Sequence, residues 1–167
     1  NYLQGIAQPW ETLEKLEKFL GEHSRIALAE TVPSKAQTIS GLIGEGTIDA
    51  ELYQAWEEAE TKLYEDPSNP KLGWNDEKMK ERLEESNWHV RSWQLQNFET
   101  PTVISLEHLD SWFSKGGTSP SYGERLQQNI GCEKLNAIHQ ALRSQVGNRV
   151  LPWKSCWLFF CISRSSK

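Results

Sequence analysis

The sequence predicts an α/β fold in which helices pack around a small three-stranded mixed sheet. Three observations carry that expectation. Ile26-Ala27-Leu28-Ala29 is an unbroken apolar run bounded by Gly21 and Pro33. It is too short for a helix and has no polar face, which is how a strand covered on both sides reads. Trp157 to Ile162 is apolar on both faces, which places that strand at the centre of the sheet. Between the two, apolar residues recur at helical spacing in segments that open with capping residues.

The chain of 167 residues reads as one domain, 1–167, with a helical insertion at 101–150. It is long enough to bury a sizeable core. Charged residues make up 25% and mean hydropathy is -0.64, so a soluble protein is expected. A net charge of -5 argues against a general nucleic-acid binder. The charge is uneven: residues 1–100 hold 19 acidic and 10 basic side chains, and residues 101–167 hold 4 and 8. Solvated helix faces explain this as well as a weak phosphate-facing surface does, since no basic cluster accompanies it. Eight tryptophans are many for this length. Packing between helices is their ordinary use, and a stacking surface for bases or sugars is the other.

Three cysteines, Cys132, Cys156 and Cys161, show no paired spacing and read as reduced thiols of a cytoplasmic protein. Cys156 and Cys161 on one strand point to opposite sides. The longest apolar run is far too short to span a bilayer, so no membrane partner is expected. No signal peptide is visible. A start at Asn1 rather than Met gives the expectation that this is a piece of a longer polypeptide.

In chain order, Pro9 opens a helix over 8–20 that places Trp10, Leu13, Leu16 and Leu20 on one face and ends at Gly21. The strand at Ile26 follows. Ser34 to Gly46 is a loop or broken helix, weakened by Gly41, Gly44 and Gly46. Asp49 can cap a helix to Tyr64 with Leu52, Trp56, Ala59 and Leu63 inward, and with Glu57, Glu58 and Glu60 facing away. Asp66-Pro67-Ser68-Asn69-Pro70 is a turn. Asn75 or Asp76 caps a helix to Ser86 with Met79 and Leu83 inward. Trp88 to Phe98 is extended. Its apolar phase shifts between Trp88/Val90 and Trp93/Leu95, which predicts a bulge or a strand covered on both sides.

Ser105 caps a short helix holding Leu106, Leu109 and Phe113. Ser121-Tyr122-Gly123-Glu124 has the capping-box pattern, with Leu126 and Ile130 behind it. Cys132 to Gln145 is a third helix, ended by Gly147. Trp153 to Ser163 is the last strand, and 165–167 form a tail.

No sequence motif supplies a complete chemistry. Gly41-Leu42-Ile43-Gly44-Glu45-Gly46 lacks a strand before it and a helix after it, so it is not a phosphate loop. His23, His89, His108 and His139 have no metal-ligand spacing. No serine stands in a nucleophile elbow. Cys132 near a helix start is a candidate activated thiol, against the commoner idle one. Glu30, an acid directly after the first strand, is the best single candidate, because open sheets place ligands at such ends. Its ordinary use is as a partner for a nearby backbone group or Arg25.

The order of elements resembles the C-terminal half of class I methyltransferases. Phe19-Leu20-Gly21 leading into Arg25-Ile26-Ala27-Leu28-Ala29-Glu30 is similar to the approach to the fifth strand of that family. Asp76–Ser86 with Trp88-His89-Val90 resembles the helix and sixth strand, and Trp153–Ser163 resembles the antiparallel seventh strand inserted between them. Tyr64, Asp66-Pro67, Gly73-Trp74-Asn75-Asp76, Leu109-Asp110-Ser111-Trp112-Phe113 and Tyr122-Gly123-Glu124-Arg125-Leu126 resemble the C-terminal extension of cyanobacterial proteins in which a RarA/MgsA-type AAA ATPase is fused to a methyltransferase-like region.

The resemblance implies a sheet ordered first strand, last strand, middle strand. It implies no cofactor site in this fragment, since the glycine loop for S-adenosylmethionine and the ATPase motifs would lie upstream. The leading expectation is a non-catalytic accessory domain of an AAA-type DNA-maintenance ATPase, partnered by the rest of a longer polypeptide. The alternatives are part of an S-adenosylmethionine-dependent methyltransferase, with Glu30, Thr31, Trp74 and Tyr122 lining an acceptor pocket, and a module recognising single-stranded nucleic acid through its tryptophans. The edge at Ile26–Ala29 is expected to pair in a homodimer or to be covered by the N-terminal segment.

Overall fold

Most helices begin where a short polar side chain accepts backbone N–H groups that the first turn leaves over. The protein is a computed structural model that describes residues 3–6, 8–21, 23–66, 75–117 and 119–164. Its helices are α1 (Pro9–Glu17), α2 (Ala50–Glu65), α3 (Asp76–Glu84), α4 (Leu106–Phe113), α5 (Tyr122–Ile130) and α6 (Cys132–Gln145). Its strands are β1 (Arg25–Thr31), β2 (Trp88–Val103) and β3 (Val150–Arg164). Asp49, Asn75, Ser105 and Ser121 cap α2 to α5 in turn. At Ser121 both capping-box bonds form. α1 is shorter than its apolar stripe because Lys18, Phe19 and Leu20 donate to carbonyls three residues back, which tightens the last turn. The segment expected as a broken helix holds two short 3₁₀ turns, Pro33–Lys35 and Ser40–Leu42. The tail 165–167 and most of the turn at 66–70 lie outside the described residues.

The sheet order is β1-β3-β2, as expected, with the last strand central. All neighbouring strands are antiparallel. Instead of a mixed sheet with a parallel pair, β1 and β2 share a direction but are separated by β3. Ile26 faces Ile162, Leu28 faces Phe160 and Ala29 faces Phe159 across the ladder.

β1 is not the doubly covered strand that its apolar run predicts. Ile26 and Leu28 pack on the core, whereas Arg25 and Ala27 are exposed. The run conceals an alternation of large and small residues, with Ile26 and Leu28 on one face and Ala27 and Ala29 on the other. Trp88, Val90 and Trp93 all reach the same core. The alternation of β2 therefore slips by one residue between Val90 and Trp93, which favours a bulge over a strand covered on both sides. β2 also continues past Phe98 through Pro101, which an edge strand tolerates because one row of its N–H groups faces outward.

The chain divides into two compact units. The first comprises 1–36, 65–98 and 155–167, and the second comprises 37–64 and 99–154. The helical segment 101–150 falls in the second, together with α2 up to Tyr64. In the first unit one face of the sheet, with Cys156, Leu158, Phe160 and Ile162 on β3, packs on Leu13 of α1 and on Met79 and Leu83 of α3. Each such large apolar side chain contributes about 1.5–3 kcal/mol by leaving water. The other face carries Trp157, Phe159 and Phe98, whose rings touch.

In the second unit α4, α5 and α6 pack on one another through Leu109, Leu126, Ile138 and Leu142, all fully buried. Gly131, at φ 80°, lets α5 turn directly into α6. Asn148, at φ 59°, follows α6; its N–H donates to the Ile104 carbonyl (2.8 Å) and its Oδ1 accepts from the Leu106 N–H (3.3 Å). A methyl group on Gly147 would meet the Leu106 side chain and approach the Arg143 carbonyl to 2.6 Å. Gly147→Ala is therefore expected to cost about 1–3 kcal/mol in urea denaturation. Gly44→Ala, with nothing within 4 Å, should stay within about 0.5 kcal/mol of the parent.

Candidate functional site

Glu30 lies inside β1, on its core side, and is fully buried. Its Oε1 accepts the Leu3 N–H at 2.7 Å. Next to it, Thr31 donates its hydroxyl proton to Gln4 Oε1 (2.9 Å), and the Gln4 amide donates back to the Thr31 carbonyl. The N-terminal 3₁₀ turn (Leu3–Gly5) is thus tied to β1 at Glu30 and Thr31. The two residues expected to line a crevice are brought together as anchors for a turn.

Tyr122, the third expected pocket residue, belongs to the second unit. Its hydroxyl accepts the Trp56 indole N–H at 2.6 Å, and its ring meets Phe113 edge to face. Burial is the main cause that raises its pKa well above the usual tyrosine value, and the nearby Glu60 carboxylate adds to the rise. Trp74, the fourth, lies outside the described residues.

Glu60 is the residue that its charged side chain misplaced. Expected to face solvent, it is 1% exposed. Its Oε1 accepts from the Ile39 N–H (2.7 Å) and the Tyr64 hydroxyl (3.2 Å), and its Oε2 from the Ser40 N–H (2.9 Å). Burial, then the Glu60 charge, drives the Tyr64 pKa far above the ordinary tyrosine range. Glu60 stands four residues after Trp56 and three before Leu63, so it shares the apolar stripe. That spacing was the available signal.

Among the described residues of the second unit, two clefts gather titratable and aromatic side chains. One, of about 260 Å³, is lined by Asp110, Phe113, Cys132 and His139 among others. Asp110 Oδ1 lies 2.8 Å from His139 Nε2, and the Arg143 guanidinium also donates to this carboxylate. The Arg143 hydrogen bond is the main cause that holds the Asp110 pKa below the usual carboxylate value. The His139 ring stacks on Phe113 with centroids 4.4 Å apart. Asp110 on α4 thereby clamps two successive turns of α6. Cys132 is exposed at the start of α6. It precedes His139 by seven residues, about 10 Å along the axis, so the imidazole is not placed to take its proton.

The other cleft, of about 250 Å³, is lined by Thr102, Val103, Ile104, His108, Trp112 and Trp153. Trp112 and Trp153 are half-buried, with centroids 6.4 Å apart and planes inclined by 48°. His108 meets Trp112 at 90° and 5.4 Å. The sequence signal for this cleft was the pair His108 and Trp112, four residues apart and off the Leu109–Phe113 stripe. In the first unit, a groove of about 640 Å³ is lined by charges of both signs, and Arg164 pairs there with Glu17 at 3.4 Å.

Among the described residues no group of three His, Cys, Asp or Glu side chains is arranged to hold a metal, and no helix is long and apolar enough to cross a membrane. Compared with known proteins, the chain matches no family model, no curated protein and no solved structure.

Two outcomes follow from the Glu60 cluster. Glu60→Gln should cost about 2–3 kcal/mol in chemical denaturation, because an amide replaces one acceptor by a donor facing an N–H or O–H. Tyr64 and Tyr122 titrate higher in the folded than in the unfolded chain. Their stabilising effect is thus complete below about pH 10 and declines above it, as the unfolded chain releases protons that the folded one keeps. The unfolding free energy of the parent should fall between about pH 10 and 11, and the fall should be smaller in the Tyr64→Phe/Tyr122→Phe double variant.

Proposed function

We propose that the chain is a non-catalytic interaction module that engages a partner through the cleft formed by Trp112, Trp153 and His108. The observation that carries this reading is the lining of that cleft. Two indoles and an imidazole stand beside aliphatic side chains, which suits recognition of a bound group. The buried carboxylates support it as well, since Glu30 and Glu60 hold backbone N–H groups. The resemblance to the extension of RarA/MgsA-type AAA ATPases suggests the host: a DNA-maintenance ATPase that carries this module at its C-terminal end and is its first partner.

A second reading, part of an S-adenosylmethionine-dependent methyltransferase, is favoured by one observation. The central β3 runs antiparallel between two strands that share a direction, as the resemblance to that fold implies. Calorimetric titration with S-adenosylmethionine, followed by an assay for methyl transfer, separates the two. The interaction module gives no heat and no product. Saturable binding with methyl transfer would overturn it.

A further inference from the structure

We propose that β2 is a docking edge for a second copy of this chain, the two β2 strands pairing antiparallel so that the two sheets continue into one. The proposal is independent of the Trp112–Trp153 cleft and adds a second surface to the reading of the chain as an interaction module. β2 lies at one margin of the sheet, with β3 on its inner side. No strand stands on its outer side among the described residues. That side presents a row of backbone N–H and C=O groups, which is a template for another strand. The opposite margin is differently placed, because Leu3 and Gln4 bond to Glu30 and Thr31 of β1.

Proteins protect such edges with charge, proline, bulges or a covering element. The stretch Ser92-Trp93-Gln94-Leu95-Gln96-Asn97-Phe98 carries no charged residue and no proline. Pro101 and the slip of phase between Val90 and Trp93 stand toward the two ends of β2 and leave Gln94 to Phe98 clear. Ser92 and every residue from Gln94 to Phe98 are exposed. Leu95 and Phe98 are each 40% exposed, apolar area that pairing would draw from water.

The stretch is complementary to itself, which selects the partner. Arg91 stands before it and Glu99 after it, four positions to either side of Leu95. Both are exposed, and the Arg91 Nε donates to Ser163 Oγ at 2.9 Å, which holds the side chain on the sheet. Antiparallel pairing about a two-fold axis at Leu95 brings the Arg91 end of each copy to the Glu99 end of the other. Parallel pairing would set like charge beside like, which is unfavourable. The same axis sets Gln94 of each copy opposite Gln96 of the other, and side-chain amides both donate and accept. A two-fold contact closes on itself, so it gives a dimer and not a growing stack.

Sedimentation velocity over a concentration series reads the mass, and amide hydrogen exchange reads the edge. A reversible dimer should form as concentration rises. Alternate amides between Ser92 and Phe98 should exchange more slowly as it forms, because every second N–H turns toward the new strand. Leu95→Lys sets two like charges across the axis and should give a single-chain mass throughout. Glu99→Arg should weaken the dimer about tenfold, and adding Arg91→Glu should restore it. Where a variant loses its fold by circular dichroism, the exchange pattern of the parent decides.

A single-chain mass for the parent even at millimolar concentration would overturn the proposal. So would a dimer that survives Leu95→Lys, or one that Glu99→Arg leaves unweakened, since the contact would then lie elsewhere. Assemblies that keep growing with concentration would overturn the two-fold arrangement. Each of these results leaves the interaction module standing, because that reading fails on S-adenosylmethionine binding with methyl transfer.

Discussion

A carboxylate taken out of water must be surrounded by donors, and this requirement organises both units. Glu60 collects two backbone N–H groups and a tyrosine hydroxyl. What it holds is the segment around Ser40–Leu42, which contains or borders three glycines and has few large side chains to bury. Such a segment cannot be fixed by apolar contact alone, since every ordered residue loses on the order of 1–2 kcal/mol of backbone entropy. Glu30 does the same for Leu3 at the start of the chain. Asp76, with a side chain 4% exposed, receives Lys35 from the 3₁₀ turn Pro33–Lys35, and that hydrogen bond is the main cause raising the Lys35 pKa. In each case an acid on a regular element secures an irregular neighbour. Removing one partner of such a buried pair is far more costly than its net worth, because the other is left without a substitute for water.

The acids and the aromatics therefore divide the work. Glu30, the acid that a sequence reading marks as a chemical candidate, is occupied in holding a backbone N–H group. Tryptophans that it assigns mainly to packing have several uses. Trp56 and Trp88 are buried, and Trp56 also donates to Tyr122. Trp112 and Trp153 are half-buried and line a cleft. Trp10 lies under the Arg82 guanidinium at 4.6 Å, a contact that secures α1 to α3 within the first unit.

Much of the fold was legible because its signals are local. Caps at Asn75, Ser105 and Ser121, the stripe Trp56-Ala59-Leu63 and the two-sided apolar run of β3 each name an element without reference to the rest. The phase slip at Val90–Trp93 marked an irregularity in β2 on the same footing, leaving a bulge and a strand covered on both sides open. Solvent coverage was less legible, because it depends on what packs where. Ile26–Ala29 reads as doubly buried until Ala27 and Ala29 are seen as the small side of an alternation. Glu60 reads as solvated by residue type, although its spacing places it on the buried stripe. The site suffered most. Glu30 and Thr31 were selected by position at a strand end, where the structure has a turn anchored. The cleft residues come from the end of β2, from α4 and from β3; Trp153 stands about forty positions after Trp112, and beyond the pair His108 and Trp112 no local pattern joins them.

Buried acids act as acceptors for the backbone amides of Leu3, Ile39 and Ser40. Amide hydrogen exchange at Leu3, Ile39 and Ser40, measured residue by residue, tests this most directly. Exchange there should be as slow as in the interiors of α2 and β3, accelerating at Ile39 and Ser40 in Glu60→Gln and at Leu3 in Glu30→Gln. Exchange at the rate of exposed loop amides in the parent protein would contradict it.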